Sequence, residues 1–512
     1  MRNKSIKKLA SASLFALAIA GAGCAKIGDF GNTNENPNGI TTPIPSALLT
    51  NVLSQLGGFG TNTRTVTYAQ YVSENQYTDV SLYALPQLEM GGTYSGPLQD
   101  CQSIIDYNIS NPGAAAAYGS NNNQIGIARI LKAFLFWQTT DRWGDIPYSQ
   151  ALKGASNFTP KYDLQEEIYF DMIKELKEAA AGFDIGAPIK GDIIYNGNMD
   201  KWKKFANSLR LIMAVRMTKA YPAAGGKAAL AAAEAVNAPG GLITSNADNF
   251  TLVFPGGFFK NPWFATYEAR DDYAESKTLG DVLNGLGDTR QSKYGTNSVT
   301  FPYGLTRDLA VSFSNSVGNG QSRVLAASMR ADNSPVFILP AATVLLARAE
   351  AYERTWITGP SSAEADYNAA VAASFEQWGV TMPAAYLTGP ANYQSGAGVP
   401  TNIGAGSAPY DQFRLADNNV QDAATPNKLA RIALQRWIAA YPNGNEGWAE
   451  WRRTGVPNLK GTRFATNSGK QIPRRYVYGV NDYSLNNEQT KAAAARITGG
   501  DTQDGRVWWD KP

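Results

Sequence analysis

Apolar residues recur in this chain at the spacing of a single helical face, and the segments that carry them come in pairs. Ile127, Ile130, Leu131, Phe134 and Leu135 fall at i, i+3, i+4, i+7 and i+8, and Leu164, Ile168, Met172, Ile173 and Leu176 resume the pattern after a Pro/Gly break. An α-helix gathers such positions into one stripe that must be buried against a neighbour. Trp202, Phe205, Leu209, Ile212 and Met213 open a second pair, returned by the Ala-rich run from Ala228 to Val236. A third sets Ala341 to Arg354 against Tyr367, Val371, Phe375 and Trp378, and a fourth sets Leu429, Ile432, Ala433, Trp437 and Ala440 before Glu446 to Arg453. The spacing predicts helix hairpins near 124–182, 200–238, 340–379 and 429–454, a tetratricopeptide-like array in an all-α fold.

Two stretches interrupt the array. Residues 239–335 and 380–427 lack long helical patterns, and the first is rich in Gly, Pro, Asn, Tyr and Phe. Ordering long irregular segments costs conformational entropy, so they are usually retained for function. Ligand-facing residues are therefore expected there, with few short strands.

The N-terminus reads as an export segment. Arg2, Lys4, Lys7 and Lys8 precede an apolar run from Leu9 to Ala22, which ends in Gly21-Ala22-Gly23-Cys24. That run is too short to span a bilayer and has the flanks of a cleaved signal, here residues 1–23. Cys24 resembles the acylated first residue of a bacterial lipoprotein, with Gly21 standing where Leu is usual; stable anchoring takes more than one acyl chain. Residues 24–46, with Asn32, Asn34, Asn36, Pro37, Asn38, Pro43 and Pro45, read as the lipidated start and a polar tether, leaving 47–512 as one domain.

Removing the signal changes the charge balance from 46 basic and 43 acidic residues to 42 and 43. A near-neutral body argues against nucleic acid, which requires a basic face. With Cys24 acylated, only Cys101 remains in the body, so no intramolecular disulfide can form. The chain has no histidine, which excludes Ser-His-Asp and Cys-His nucleophiles, His metal sites and unperturbed titration near neutrality. Ligand affinity should then vary little between about pH 6 and 8 unless burial shifts a carboxylate.

No phosphate loop, dinucleotide fingerprint, nucleophile elbow or C-x-x-C is complete. Carboxylate chemistry survives, and a surface glycoside hydrolase using Asp141 and Asp145 is the enzymatic alternative, because two carboxyls across a glycosidic bond suffice. The competing reading has Trp143 packing, Gly144 turning, Asp145 capping and Pro147 ending a helix. Asp417, Asn418, Asn419 and Asp422 form an oxygen-rich cluster without an EF-hand pattern and read as a solvated turn. No metal or cofactor is expected, and no catalytic residue is assigned.

Aromatic residues make up 11% of the chain, with 25 tyrosines. Tyr68, Tyr71, Tyr77, Tyr83 and Tyr94 cluster with Asn75, Gln76 and Asp79; Phe258, Phe259, Trp263, Tyr267 and Tyr273 cluster with Arg270, Asp271 and Asp272. Aromatic faces beside amide and charged groups suit a hydroxyl-rich or peptide ligand. Tyr68 and Tyr71, at helical spacing, read as core.

The string ILKAFLFWQTTDRWGDIPYSQAL at 130–152 resembles a signature of the SusD/RagB family of Bacteroidota outer-membrane nutrient-binding lipoproteins. The resemblance continues in order through DFGNTNENPN at 29–38, GDIIYNGNMDKWKKFANSLRLIMAVRM at 191–217, PAATVLLARAEAYER at 340–354, IALQRWIAAYPNGNEGWAEWRRTGVPNL at 432–459, RRYVYGVNDYSLN at 474–486 and VWWDK at 507–511. Gly479-Val480-Asn481-Asp482 departs from the usual Pro-x-x-Glu.

The resemblance implies a SusD-like fold, an oligosaccharide or peptide ligand, no enzymatic activity, and a place on the cell surface as a lid over a SusC-like TonB-dependent transporter, with repeats toward the transporter and loops toward the ligand. The strong motifs imply structural roles: Trp202 and Phe205 as hairpin core, Asn207 and Arg210 as polar contacts to nearby backbone. The ligand set expected from the two aromatic clusters is Tyr77, Asp79, Tyr83, Trp263, Tyr267, Arg270 and Asp271. A purely architectural scaffold is the third reading, distinguished by whether the aromatics of 255–275 are buried.

Overall fold

The computed structural model describes residues 42–84, 86–296, 299–388 and 428–512. The signal segment, Cys24, most of the tether and the cluster at Asp417, Asn418, Asn419 and Asp422 lie outside the described residues.

Helix α1 (Pro45–Gly60) starts within the last residues read as tether; Pro45 at its first turn gives up only an N–H that has no helical partner, and Leu49, Val52, Leu53 and Leu56 form its buried stripe. Helix α2 (Gln99–Ser110) packs on α1 and on α3 (Asn121–Trp143). Both α1 and α2 lie outside the four hairpins that the sequence predicts. Helices α3 and α4 (Gln165–Ala181) form the first hairpin, and α5 (Met199–Arg216) with α6 (Lys227–Val236) the second. Ser120 and Asn198 cap α3 and α5 by accepting from the N–H groups of Asn123 and Lys201. Among the described residues of the interruption that follows the helices are short, and they include α7 (Pro262–Ala269), Lys277–Leu286 and α8 (Arg307–Ser316). Helices α9 (Ala341–Glu353) and α10 (Ala363–Gln377) make the third hairpin, and α11 (Lys428–Ala440) with α12 (Gly444–Thr454) the fourth.

Four two-stranded ladders stitch the irregular segments. They pair β1 (Val72–Glu74) with β6 (Tyr273–Glu275), β2 (Gln87–Leu88) with β8 (Val477–Tyr478), β3 (Ile146–Pro147) with β4 (Tyr162–Asp163), and β5 (Phe250–Leu252) with β7 (Val336–Leu339). The fold is all-α with few short strands.

The hairpins pack side by side, α4 on α5 and α9 on both α5 and α11. Buried charge joins them. Glu350 of α9 accepts from Arg453 (2.7 Å), Arg354 (2.8 Å) and Arg436 (3.2 Å), and Arg453 also pairs with Glu450 at 2.6 Å. Burial alone would raise the Glu350 carboxyl; the three guanidiniums outweigh it and hold the group well below the usual carboxylate range. Arg216 of α5 pairs with Glu446 of α12 at 2.7 Å. These residues sit inside the family motifs, which therefore mark inter-hairpin contacts. Close approach is set by Gly447, whose added Cβ would lie 2.2 Å from the Tyr71 hydroxyl.

Asn207 donates to the carbonyls of Pro239 and Gly241. Arg210 instead contacts side chains, donating to Asn207 Oδ1 at 3.2 Å and pairing with Glu234 at 3.2 Å. Trp202, Phe205 and Phe250 form one aromatic cluster. Cys101 is buried, its thiol pushed up by desolvation. Among the described residues, no helix is long and apolar enough to cross a membrane.

Candidate functional site

The two aromatic clusters read from the sequence meet through the β1–β6 ladder. Val72 pairs with Glu275 and Glu74 with Tyr273, and Asn75 N–H extends the ladder by donating to Asp272 O at 3.0 Å. This register delivers 75–84 alongside 267–272. Tyr77 stands 51% exposed, with the guanidinium carbon of Arg270 4.5 Å from its ring centroid and that of Arg307, on α8, at 5.7 Å. Arg270 is held by Asp272 at 2.7 Å, and exposed Asp79 lies two residues beyond Tyr77. Cation–π contact places both guanidiniums beside an aromatic ring.

Asp271 pairs with Arg323 at 2.8 Å. Tyr267 is half-buried; its hydroxyl donates to Tyr273 O and accepts from Val324 N–H, while Arg330 sits 4.4 Å from its ring centroid. It braces the loop from below. Two expected platforms do not reach the surface. Trp263, in the first turn of α7, is 1% exposed: its backbone N–H donates to the capping Asn261 and its indole packs edge-on against Tyr273. Tyr83, with a left-handed φ of 61°, turns inward to meet the Tyr303 hydroxyl at 3.3 Å. Tyr68 and Tyr71 are core, as read.

Two further segments complete the face. Phe301 N–H donates to Glu275 O, Thr462 Oγ1 donates to Gly304 O, and Thr466 N–H donates to Leu82 O. They close a small apolar cluster of Ala274, Phe301, Leu305 and Ala310, with Leu309, Phe313 and Phe464 packed at its edge. Arg307, Phe313 and Phe464 carry no pattern that could have singled them out, since only the tertiary fold brings their segments to Tyr77.

Beneath this face lie two carboxyls that have, among the described residues, no basic partner in hydrogen-bonding contact. Glu74 accepts from Ser81 N–H (2.7 Å) and Oγ (2.8 Å); Glu275 accepts from Gln291 Nε2 and Ser322 Oγ, both at 2.6 Å. Burial raises each to about 7, against the pull of these hydrogen bonds. A histidine-free protein thus acquires groups that titrate near neutrality.

Asp141 and Asp145 are committed elsewhere. Asp141 is buried; it accepts from Trp509 Nε1 at 2.8 Å and from Tyr169, and lies 3.6 Å from Arg216. Asp145 accepts from Gln165 N–H at 2.9 Å, at the start of α4, and pairs with Arg496 at 2.6 Å. Among the described residues, no cluster of acidic or cysteine side chains is arranged to hold a metal ion.

Stacked helix hairpins carrying loop-built aromatic and arginine surfaces define an all-α helical-repeat protein. The chain belongs to the SusD-like family, described as starch-binding associating with outer membrane, which it matches over residues 37–479. Among solved structures, a SusD homologue from Bacteroides uniformis is 28% identical, covers 91% of this chain and 99% of its own, with a TM-score of 0.74. A chitin-binding SusD homologue from Flavobacterium johnsoniae is 25% identical over 91% of this chain and 98% of its own, TM-score 0.73. A chitin-binding protein, 24% identical, shares the fold over 92% of this chain and 100% of its own, TM-score 0.70. No curated protein is matched by the sequence.

Proposed function

We propose that this chain is a lipid-anchored, cell-surface protein that captures an oligosaccharide at the Tyr77 face and delivers it, unaltered, to a SusC-like TonB-dependent transporter in the outer membrane. The observation that carries the reading is the half-exposed Tyr77 ring beside Arg270 and Arg307. A tyrosine face stacks on the C–H side of a sugar, and guanidiniums and the nearby Asp79 reach its hydroxyls. The family description and the chitin-binding relative favour a carbohydrate over a peptide. The apolar run ending at Cys24 supports acylation and surface display. Of the expected ligand set, Tyr77, Asp79 and Arg270 are assigned contact roles; Asp271 and Tyr267 position the loop, and Tyr83 and Trp263 support it from the core.

The test is calorimetry of the soluble domain against chitin, starch and other oligosaccharides and against peptides, with the ligand recovered afterwards. Saturable binding of one glycan class, weakened in Tyr77→Ala and recovered chemically intact, is the expected result. Cleaved ligand, or affinity for peptides alone, would overturn the reading.

A further inference from the structure

Arg142, at the end of α3, is 6% exposed, and among the described residues its guanidinium is in no ion pair, the field of Asp141 offsetting only part of the cost of burial. Nε donates to the carbonyl of Gln138 at 2.8 Å, whereas the buried Nη2 has no hydrogen-bond partner among the described residues. The adjacent Asp141 carboxylate is turned to Arg216, Tyr169 and Trp509. What surrounds the guanidinium is aromatic: its central carbon lies 5.0 Å from the Trp143 ring, 5.4 Å from Phe59 and 5.9 Å from Tyr476. Rings offset part of the desolvation of a cation but supply no acceptor for its N–H groups. Burial accordingly lowers the affinity of this guanidinium for its proton.

The same side chain lines a pocket of about 260 Å³ that opens between the C-terminal half of α1 and the loop before α2. Gln55, Asn62 and Thr93 bring amide and hydroxyl groups to its wall, and Gly58 and Gly92 leave it open. It shares no residue with the Tyr77 face. We infer that this pocket is a second binding site, taking the carboxylate of a small polyhydroxy acid. Arg142 supplies the counter-charge, and the amides and Thr93 meet the flanking hydroxyls. The volume suits one residue of a sugar acid.

Sodium glucuronate is the probe, titrated calorimetrically into the mature protein at constant ionic strength, with glucose as the neutral control. One glucuronate should bind per chain, at least about tenfold more tightly than glucose. Gly58→Leu fills the mouth without touching the core, since no atom lies within 4 Å of the added Cβ; it should weaken glucuronate at least about tenfold, whereas Tyr77→Ala should leave it within about twofold. Arg142→Gln, where it folds, should erase the preference for the acid. Equal affinity for glucose and glucuronate, or binding abolished by Tyr77→Ala and spared by Gly58→Leu, overturns the inference. So does binding of an acidic peptide without glucuronate, which would assign the pocket to a protein partner.

Discussion

The hairpin scaffold and the ligand-facing excursion bury carboxylates in opposite ways. In the scaffold, Glu350 is surrounded by Arg453, Arg436 and Arg354 and stays ionised. Beneath the Tyr77 face, Glu74 and Glu275 have hydroxyl, amide and backbone donors but, among the described residues, no guanidinium in hydrogen-bonding contact, and both rise to about 7. The contrast teaches that one all-helical body can hold a region indifferent to pH and a region that responds to it. The difference lies in which partners burial leaves, since histidine is absent.

Breaking the scaffold side should have the largest effect. Glu350→Gln leaves three guanidiniums facing a neutral amide, and urea unfolding should show a loss of about 3 to 5 kcal/mol; a loss below about 1 kcal/mol would show that the network is dispensable. On the other side the sign reverses. Glu275 is protonated in the folded chain and ionised in the unfolded one between its ordinary value of 4.5 and about 7, so unfolding releases a proton there. Its contribution is intact below pH 4.5, is lost as pH climbs toward 7, and stays lost above. Glu275→Gln should remove up to about 3 kcal/mol of that fall, read as a smaller difference in unfolding free energy between pH 5 and pH 8. An unchanged difference would show that Glu275 does not carry it.

Smaller effects sharpen the comparison. Tyr77→Ala should weaken glycan binding about tenfold, near 1.4 kcal/mol, with thermal stability unchanged, because the ring is half exposed. A matching loss of stability would make Tyr77 a structural residue. Asn198→Ala removes the cap of α5 and should cost about 1 kcal/mol, with no change in glycan affinity, since that helix belongs to the scaffold.

Much of the scaffold was legible because its signal is local. The apolar positions from Ile127 to Leu135 share a helical face, and the 23-residue helix α3 carries them buried. The ligand face was only partly legible. Tyr77 and Arg270 stood out by composition, but so did Trp263 and Tyr83, and nothing local separates a ring that faces solvent from one that turns inward. Trp263 packs inward on Tyr273, and Tyr83 on Tyr303, partners that only the tertiary fold supplies. Arg307 was unreadable because its place beside Tyr77 depends on contacts between distant segments.

By itself, the sequence determined which residues lie on helical faces and that no imidazole chemistry is available, for periodicity and composition act over one or two turns. The tertiary structure alone decided that Tyr77 meets Arg270 and Arg307, that Glu74 and Glu275 are stripped of water, and that Arg142 faces a pocket without a counter-ion. Exposure, dielectric and charge pairing are properties of surroundings, and those exist only once remote segments have packed.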